Sequence, residues 1–590
     1  NALTTNSTEN TVYGHQAGLA LSTGDYNVAI GALALKSEDA GDRSLAIGTS
    51  ALFSQNVDGT SGNVGIGMHV AYYNVTGTLN TWVGYQAGFG ASGNSNSQNT
   101  GLGYRAGYSI TSGSNNTLLG RQTGLELEGG TDNTFVGMNA GATTVSGTKM
   151  VAVGSSAFLS GNVTTDAIGT IAIGYESLKS LTNGFGNVAI GYQAMATEDT
   201  GDYSTVVGYQ ALQNQNYDGD AGNTMLGYRT GNSLTDGIRN VFIGRSAGSA
   251  TTGGNFNIGI GYAALNAGLT GTAAGTIGIG YAAGNALTTA PANVAIGHQA
   301  MQVHTTGGGN IAIGYQAMDD TDAGSNSKDS EYNVFIGYSA GGGTWTNAEC
   351  NYNVGVGAFT LDAALAGALD NTTVGYAGLT SLTSGGSNTT VGHRAGERIT
   401  TGNKNTIVGA EAGSFVTDAD ENTIVGTEAG YDLTGTESVL IGSRAGYNLA
   451  AVNGNVAIGR YALYTSTAAV DCVAIGRQAM YNGSATQAGT VAIGKNAALN
   501  LSSGNTTTAV GYEALKALTT GNSNTAFGYQ SQTACVDGEA NVSFGRGTLG
   551  TNVSGDQNTA FGHQALETFN SDVDGNNVAV GMNALQAATT

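Results

Sequence analysis

Asn187-Val188-Ala189-Ile190-Gly191-Tyr192-Gln193-Ala194-Met195 is the stretch that decides the fold, because the chain keeps returning to it. The same pattern stands at residues 27–31, 293–297, 455–459 and 577–581. Counted by its glycine it occurs 33 times, from Gly14 to Gly581, usually 17 residues apart. Longer intervals separate Gly48 from Gly67, Gly208 from Gly227 and Gly314 from Gly337. A repeat this dense marks a solenoid, in which each turn touches only its neighbours.

With the glycine as position zero, position −1 is a large apolar residue, as in Ile190, Val207, Leu226, Ile313 and Phe527. Position −3 is nearly always Val, Ile or Thr. Side chains alternate along a strand, so −3 and −1 share a face. The expectation is a short strand per repeat whose β-branched face is the buried seam, from Val12 to Val580. The apolar spacing of two and the frequency of glycine argue against helix. Position −4 is Asn in 24 of the 33 copies, among them Asn10, Asn116, Asn310 and Asn422. Stacked amides of this kind bond one another as a ladder. Glycine at zero suits a corner with positive φ or a close backbone approach. Position +3 is small, as in Ala17, Ala194, Ala300, Ala412 and Ala565, and predicts a second strand over +1 to +4, packed against another layer or chain. Position +1 is Tyr in 13 copies, including Tyr85, Tyr192, Tyr315 and Tyr512, with Arg121, Arg460, Lys495 and His563 among the rest. That mixture fits a half-exposed rung.

These Asn-x-Val-Ala-Ile-Gly-x-x-Ala repeats resemble the head domain of YadA-like trimeric autotransporter adhesins and, in their Gly-Tyr-Gln-Ala style, phage tail-fibre repeats. The resemblance covers essentially the whole chain. It implies an all-β fold: a left-handed parallel β-roll, or β-solenoid, of about 33 short two-strand rungs, an elongated homotrimeric rod of three chains side by side. At about 4.8 Å per stacked strand the rod is about 150 Å long. The repeat is longer than the adhesin head repeat. These 590 residues hold no heptad stalk, anchoring barrel or self-cleaving chaperone domain of the kinds those fibres carry.

Composition narrows the rest. The chain has 97 Gly, one Pro, 40% hydrophobic and 10% charged residues. The glycine period and missing proline exclude collagen, and strict apolar patterning excludes disorder. A net charge of −22 and pI near 4.4 argue against nucleic acid as a partner and suit an extracellular setting. No apolar run approaches the ~20 residues of a membrane helix. Cys472 and Cys535 lie several turns apart, beyond the ~7 Å reach of a disulfide, and read as isolated buried thiols.

Along the chain, residues 1–13 are a lead-in, 14–313 regular rungs, 314–357 irregular rungs with long loops, and 358–590 regular again. Within the first stretch a block of about nine rungs is duplicated with a shift of 160 residues: Ser37-Glu38-Asp39-Ala40-Gly41-Asp42 is echoed by Thr197-Glu198-Asp199-Thr200-Gly201-Asp202, and Gln55-Asn56-Val57-Asp58-Gly59 by Gln215-Asn216-Tyr217-Asp218-Gly219. In the irregular stretch, Asp319, Asp320, Asp322, Lys328, Asp329, Glu331, Trp345 and Cys350 are expected to bulge from the roll as loops.

Catalytic chemistry finds no constellation, and no catalytic, cofactor or metal residue is assigned. His15, His298, His393 and His563 occupy +1, a rung position, while His69 and His304 lack a companion. The glycine run 278–284 sits in an ordinary repeat with no crossover helix, unlike a nucleotide loop. Calcium is the cation that the oxygen-rich turns Asp58-Gly59, Asp218-Gly219-Asp220, Asp418-Ala419-Asp420 and Asp572-Val573-Asp574-Gly575 would suit, yet none carries a full loop with its closing Glu. The sequon at Asn162-Val163-Thr164 is a by-product of an Asn/Thr-rich repeat. Trp82 and Phe135, at −2 opposite the apolar pair, are either interface or core residues, or sugar-stacking rings on a wet face. Together these readings point to a non-enzymatic shaft of an extracellular trimeric fibre that attaches to a host or surface receptor, a glycan among the candidates, as a phage tail fibre or else a bacterial adhesin. A β-solenoid polysaccharide-degrading enzyme would need clustered carboxylates or basic residues along a groove. An ice- or mineral-binding solenoid would need an outward threonine array, whereas threonine at −3 reads as inward.

Overall fold

The computed structural model describes residues 7–159, 167–321, 327–346, 348–450, 453–483, 487–570 and 575–588. It is all-β, a parallel β-solenoid with one three-residue strand per repeat, 33 in all. Among the described residues there is no α-helix, only a 3-10 turn at Ser327–Asp329. The chain forms two compact units, Asn1–Ala292 and Asn293–Thr590. Strands Thr11–Tyr13 through Ile277–Ile279 belong to the first unit, and Val294–Ile296 through Val578–Val580 to the second.

Within each unit the strands pair in parallel, equivalent residue on equivalent residue. Val188, Ala189 and Ile190 lie beside Ile171, Ala172 and Ile173 on one side and Thr205, Val206 and Val207 on the other. The glycine then turns the corner. Gly191 has φ +142°, and a Cβ there would stand 2.1 Å from the carbonyl oxygen of Gly208 in the next turn. No L side chain fits that conformation or that gap.

Among the described residues the expected second strand is absent. Positions +1 to +4 form a tight turn in which +2 and +4 are left-handed, as at Gln193 (φ 51°) and Met195 (φ 49°). Alternating handedness aims amides alternately at the turns above and below: Gln193 N–H donates to Tyr175 O (2.8 Å) and Met195 N–H to Ala211 O (3.1 Å). The rungs therefore stay stitched without a second sheet. Short additional pairings occur locally, Gly41–Asp42 with Gly59–Thr60 and Gly201–Asp202 with Gly219–Asp220 in the duplicated blocks, Ala469–Val470 with Gln487–Ala488, and single bridges such as Asn74 with Asn94.

The core lies on the other side of the strand from the one expected. In the turn starting at Asn187, the buried residues are Asn187, Ala189, Ala194, Met195, Ala196, Glu198 and Gly201. Ala189 at −2 is fully buried, whereas Val188 and Ile190 are only half-buried. The cause is geometric. One turn of about 17 residues encloses a narrow interior, and the residue facing it must be small or be matched by a small neighbour. The asparagines do form the expected ladder inside: Asn133 donates through Nδ2 to Asn116 Oδ1 (3.0 Å) and Gly147 O (2.7 Å), and Asn116 Nδ2 to Asn99 Oδ1 (2.9 Å). Those bonds satisfy amides that would otherwise be buried without partners.

Trp345 and Cys350 do not bulge. Both are fully buried, Trp345 edge-on to Phe335 at 5.9 Å with its indole N–H on Gly341 O (3.2 Å). The apolar character of these two residues recruits them to the interior despite the longer interval. Asp322 lies outside the described residues.

Candidate functional site

Among the described residues the distinctive surfaces are rows running from turn to turn. The first is the outward face of the strands. Large apolar side chains at −1 stand exposed, for example Leu102 at 53%, Val391 at 40% and Phe561 at 52%. Their −3 neighbours are Val, Ile, Leu or Thr on the same face. Phe527, Phe544 and Phe561 stack there at 4.8 and 5.0 Å. No other described element of the chain covers this face. Two runs of threonine lie on it, Thr81, Thr100, Thr117 and Thr134 in the first unit and Thr372, Thr389, Thr406 and Thr423 in the second.

The second row is position +1. Tyr175, Tyr192, Tyr209 and Tyr228 stack face to face at 5.2, 4.9 and 5.4 Å. His298, Tyr315 and Tyr338 do the same at 5.0 Å. Their ring faces are used on each other, so edges and hydroxyls meet solvent. Beside it, the left-handed +2 row is a polar ladder: Gln193 donates to Glu176 (2.9 Å), Gln210 to Gln193 (3.0 Å) and Arg229 to Gln210 (3.0 Å). The Gln193 amide, the Tyr175 hydroxyl and Lys179 hold the Glu176 carboxyl at about 2. A third row at +5 carries Phe53, Tyr72, Phe89 and Tyr108 in the first unit. The polar ladder escaped sequence reading because left-handed backbone leaves no residue signature when it is not glycine; only the recurrence of Gln, Glu and Arg at +2 hinted at it.

The residues singled out from sequence fall as follows. Trp82 and Phe135 are fully buried in the solenoid interior, so neither can stack on a sugar. His298 and His393 lie in the +1 stack, His393 on Tyr376 at 5.4 Å. His69 packs against Tyr72 and Tyr85. His304 does have companions: it is fully buried, with Nδ1 2.9 Å from Thr321 Oγ1 and Nε2 3.0 Å from Gly307 O. It fills the +7 core position that Leu181 and Leu234 hold elsewhere. The glycine run 278–284 begins in strand Ile277–Ile279 and continues into the ordinary turn.

Two of the acidic turns are engaged by the protein itself. Asp218 accepts from Thr200 (2.5 Å), Asp220 pairs with Arg239 (3.2 Å), and Asp420 accepts the Asn403 amide N–H (2.6 Å). Asp58 is exposed. Asp572, Asp574 and the sequon at Asn162 lie outside the described residues. Among the described residues no group of three or more His, Cys, Asp or Glu is placed to hold a metal. A recess of about 480 Å³ in the second unit is lined by Asp370, Asn403, Lys404, Asp420 and Glu421, with Lys404 on Glu421 at 2.7 Å. Asp319 and Asp362 flank Gly342, and burial pushes each carboxyl up to about 6, with Asp320 and Asp319 respectively adding repulsion. Cys350, Cys472 and Cys535 are buried thiols outside any disulfide, Cys535 pushed up to about 12 by burial. No helix among the described residues is long and apolar enough to cross a membrane. No protein-family model matches the chain, and neither does any curated protein.

Proposed function

We propose that the chain is the shaft of an extracellular homotrimeric fibre, a phage tail fibre in preference to a bacterial surface adhesin, that attaches to a host or surface receptor without chemistry of its own. The observation that carries this reading is the uncovered apolar face at −3 and −1. Contiguous exposed apolar surface on this scale marks an interface, since each Å² removed from water is worth about 25 cal/mol. Because within each unit the face recurs from turn to turn in fixed register, its natural cover is the same face of another copy, and a cyclic arrangement of three closes without leaving a free edge. Attachment by a fibre with repeated surfaces gains strength from multivalency rather than from any one contact.

Sedimentation tests it directly. The expected mass is three times 58.9 kDa. Ile190→Asp places a charge on the outward face, so the chain keeps its turns while assembly weakens. A stable, folded monomer of the unmodified chain would sink the proposal. Incubation with host polysaccharides is expected to release no fragments; depolymerisation lost on one Asp→Asn or Glu→Gln change would favour the enzyme reading instead.

A second reading is favoured by one observation. The threonines at −3 lie on the outward face, half-buried or exposed, and not inward, so the two runs of four form the regular hydroxyl array that an ice- or mineral-binding surface needs. That surface and the trimer interface are the same face. A monomer that shapes ice crystals, with activity lost on Thr389→Leu and Thr406→Leu together, would select this reading over the fibre.

A further inference from the structure

The chain carries 19 basic against 41 acidic residues, yet at one place cations stack without an ion pair among the described residues. Arg460, Arg477 and Lys495 occupy +1 on three consecutive turns. Their strands, Val456–Ile458, Val473–Ile475 and Val491–Ile493, pair in register, so the three residues follow one another about 5 Å apart. All three are exposed. None forms an ion pair among the described residues, although six pairs form elsewhere. Arg460 donates to the Tyr461 hydroxyl (3.2 Å), and the Lys495 ammonium lies 5.3 Å from the centre of the Tyr512 ring.

The carboxylates bounding the stripe are already committed. Glu428 is held by Arg444 through two bonds, of 2.6 and 3.3 Å. Glu513 is held by Lys516 (2.9 Å), Gln530 (3.1 Å) and Asn496 (3.2 Å). Beside the stripe runs an aromatic ladder at +5: Tyr431, Tyr447, Tyr464 and Tyr481, spaced 4.9, 5.3 and 5.0 Å. Tyr461 joins the two rows, edge-on to Tyr464 at 5.1 Å.

We propose that this stripe binds an anionic polysaccharide, a polymer with one carboxylate per sugar, lying along the stack with its acid groups on Arg460, Arg477 and Lys495 and its sugar rings against the tyrosine edges. Like charges one turn apart repel unless an anion sits between them, and guanidinium groups suit carboxylates. A small anion meets one or two of these cations; a polymer whose charges recur at about the spacing of a turn meets all three. The net charge of −22 does not prevent this, because at physiological salt a field reaches only about 8 Å. Hydroxyls and ring edges of the tyrosines supply the polar and apolar contacts that sugars use.

The proposal rests on the attachment reading and names the chemistry of its receptor. The test is retardation of the full chain in gels containing polygalacturonate, with fully methyl-esterified polygalacturonate as the neutral probe and sedimentation run in parallel. The unmodified chain is expected to be retarded by the acid polymer alone and released by salt. Arg460→Gln, Arg477→Gln and Lys495→Gln together are expected to weaken retention about tenfold or more, each lost contact also flattening the salt dependence. Removing the same charge from isolated rungs, with Arg121→Gln, Arg245→Gln and Arg546→Gln, is expected to change it less than about threefold. An intact trimer that ignores the acid polymer, equal retention by the neutral ester, or equal loss from both triple variants would each overturn the stripe while leaving the fibre standing. A stripe variant that falls to monomer would also overturn it, by making these cations a contact between chains.

Discussion

In the turn that begins at Asn187, the inward strand residue is Ala189 and the inward residue four past the glycine is Met195; in the turn that begins at Asn240, the same two places hold Phe242 and Gly248. Ala189, Met195 and Phe242 are all fully buried. The backbone is the same in both, left-handed at Met195 (φ 49°) and at Gly248 (φ 60°). What differs is which place supplies the bulk. Ala46 with Leu52, Ala172 with Leu178 and Ala457 with Leu463 follow the first pattern; Leu118 with Gly124, Phe135 with Gly141, Ile407 with Gly413 and Leu440 with Gly446 follow the second. A cross-section of fixed volume must be filled once and only once. The second pattern also relieves the backbone, because a left-handed residue costs about 1–2 kcal/mol unless it is glycine.

The largest effect comes from breaking this reciprocity. Phe242→Ala leaves a cavity and is expected to cost about 3–5 kcal/mol. Gly248→Leu alone is expected to cost a similar amount, since even a Cβ would stand 2.4 Å from the Phe242 ring. The double variant recreates the first pattern and should recover about 2–3 kcal/mol of the combined loss. Hydrogen exchange of the amides in turns 240–260 measures this locally, as a stack of turns need not unfold together. If the double variant is as unstable as the two losses added, bulk is not exchangeable between the two places.

The same pair of places explains which parts of the molecule were legible in the sequence. The period, the strand ahead of each glycine, the glycine corner and the asparagine ladder all follow from local chemistry, and each stands where residues 187–195 put it. The facing of the strand does not follow. Ile190 and Val188 are larger and more apolar than Ala189, and the usual ranking of what goes inside would bury them. That ranking assumes one chain buries its own apolar residues, and it fails when the interior is too narrow to take them. The signal that could have corrected it was the exchange of size between −2 and +4. Trp82 shows it in one place, with Gly88 at +4 of its own turn, and Gly101 at −2 of the next, leaving room for its ring. The tyrosine and arginine rows were visible as compositions, but their stacking needs the register that only the paired strands supply.

A smaller effect sharpens the contrast between regular and irregular turns. Gly342 stands at +5 between Asp319 and Asp362, where its missing side chain leaves the two carboxyls facing each other. Burial raises both to about 6, so the folded chain holds their protons more tightly than the unfolded chain does. Their contribution to stability is therefore complete below about pH 4, and is lost as pH rises through about 6. Protection of the amides near Gly342, corrected for intrinsic exchange, is expected to be greater at pH 5 than at pH 7. Asp319→Asn and Asp362→Asn together should remove the difference; a slope of the opposite sign would show that these groups gain a cationic partner.

The smallest effect sets the two copies of the duplicated block against each other. In the first copy Gln55 Nε2 donates to Glu38 Oε2 (2.9 Å) and to Ser44 Oγ (2.7 Å), and Ser44 meets Ser61 at 2.5 Å. The second copy has Glu198, Gln215 and Ser204 in the same places, but Ala221 where Ser61 would be. There Gln215 Nε2 and Glu198 Oε2 are both buried without a partner, and burial raises the Glu198 carboxyl above its usual range. One methyl in place of a hydroxymethyl removes the group that anchors the serine, and with it the arrangement that turns the glutamine toward the acid. Ala221→Ser restores that hydroxyl and is expected to stabilise the turn by about 1 kcal/mol, the net worth of a completed buried hydrogen bond. It also changes the response to pH. With a raised carboxyl, the contribution of Glu198 is present in full below about pH 4.5 and is lost as pH rises through its folded value. A donated bond from Gln215 favours the charged form and lowers that value, so the gain from Ala221→Ser should be larger at pH 7 than at pH 4. Exchange protection of the Gly201 amide, which donates to Glu198 Oε1 at 2.7 Å, reports both effects. Equal gains at the two pH values would mean that the serine hydroxyl acts alone and the glutamine never reaches the carboxylate.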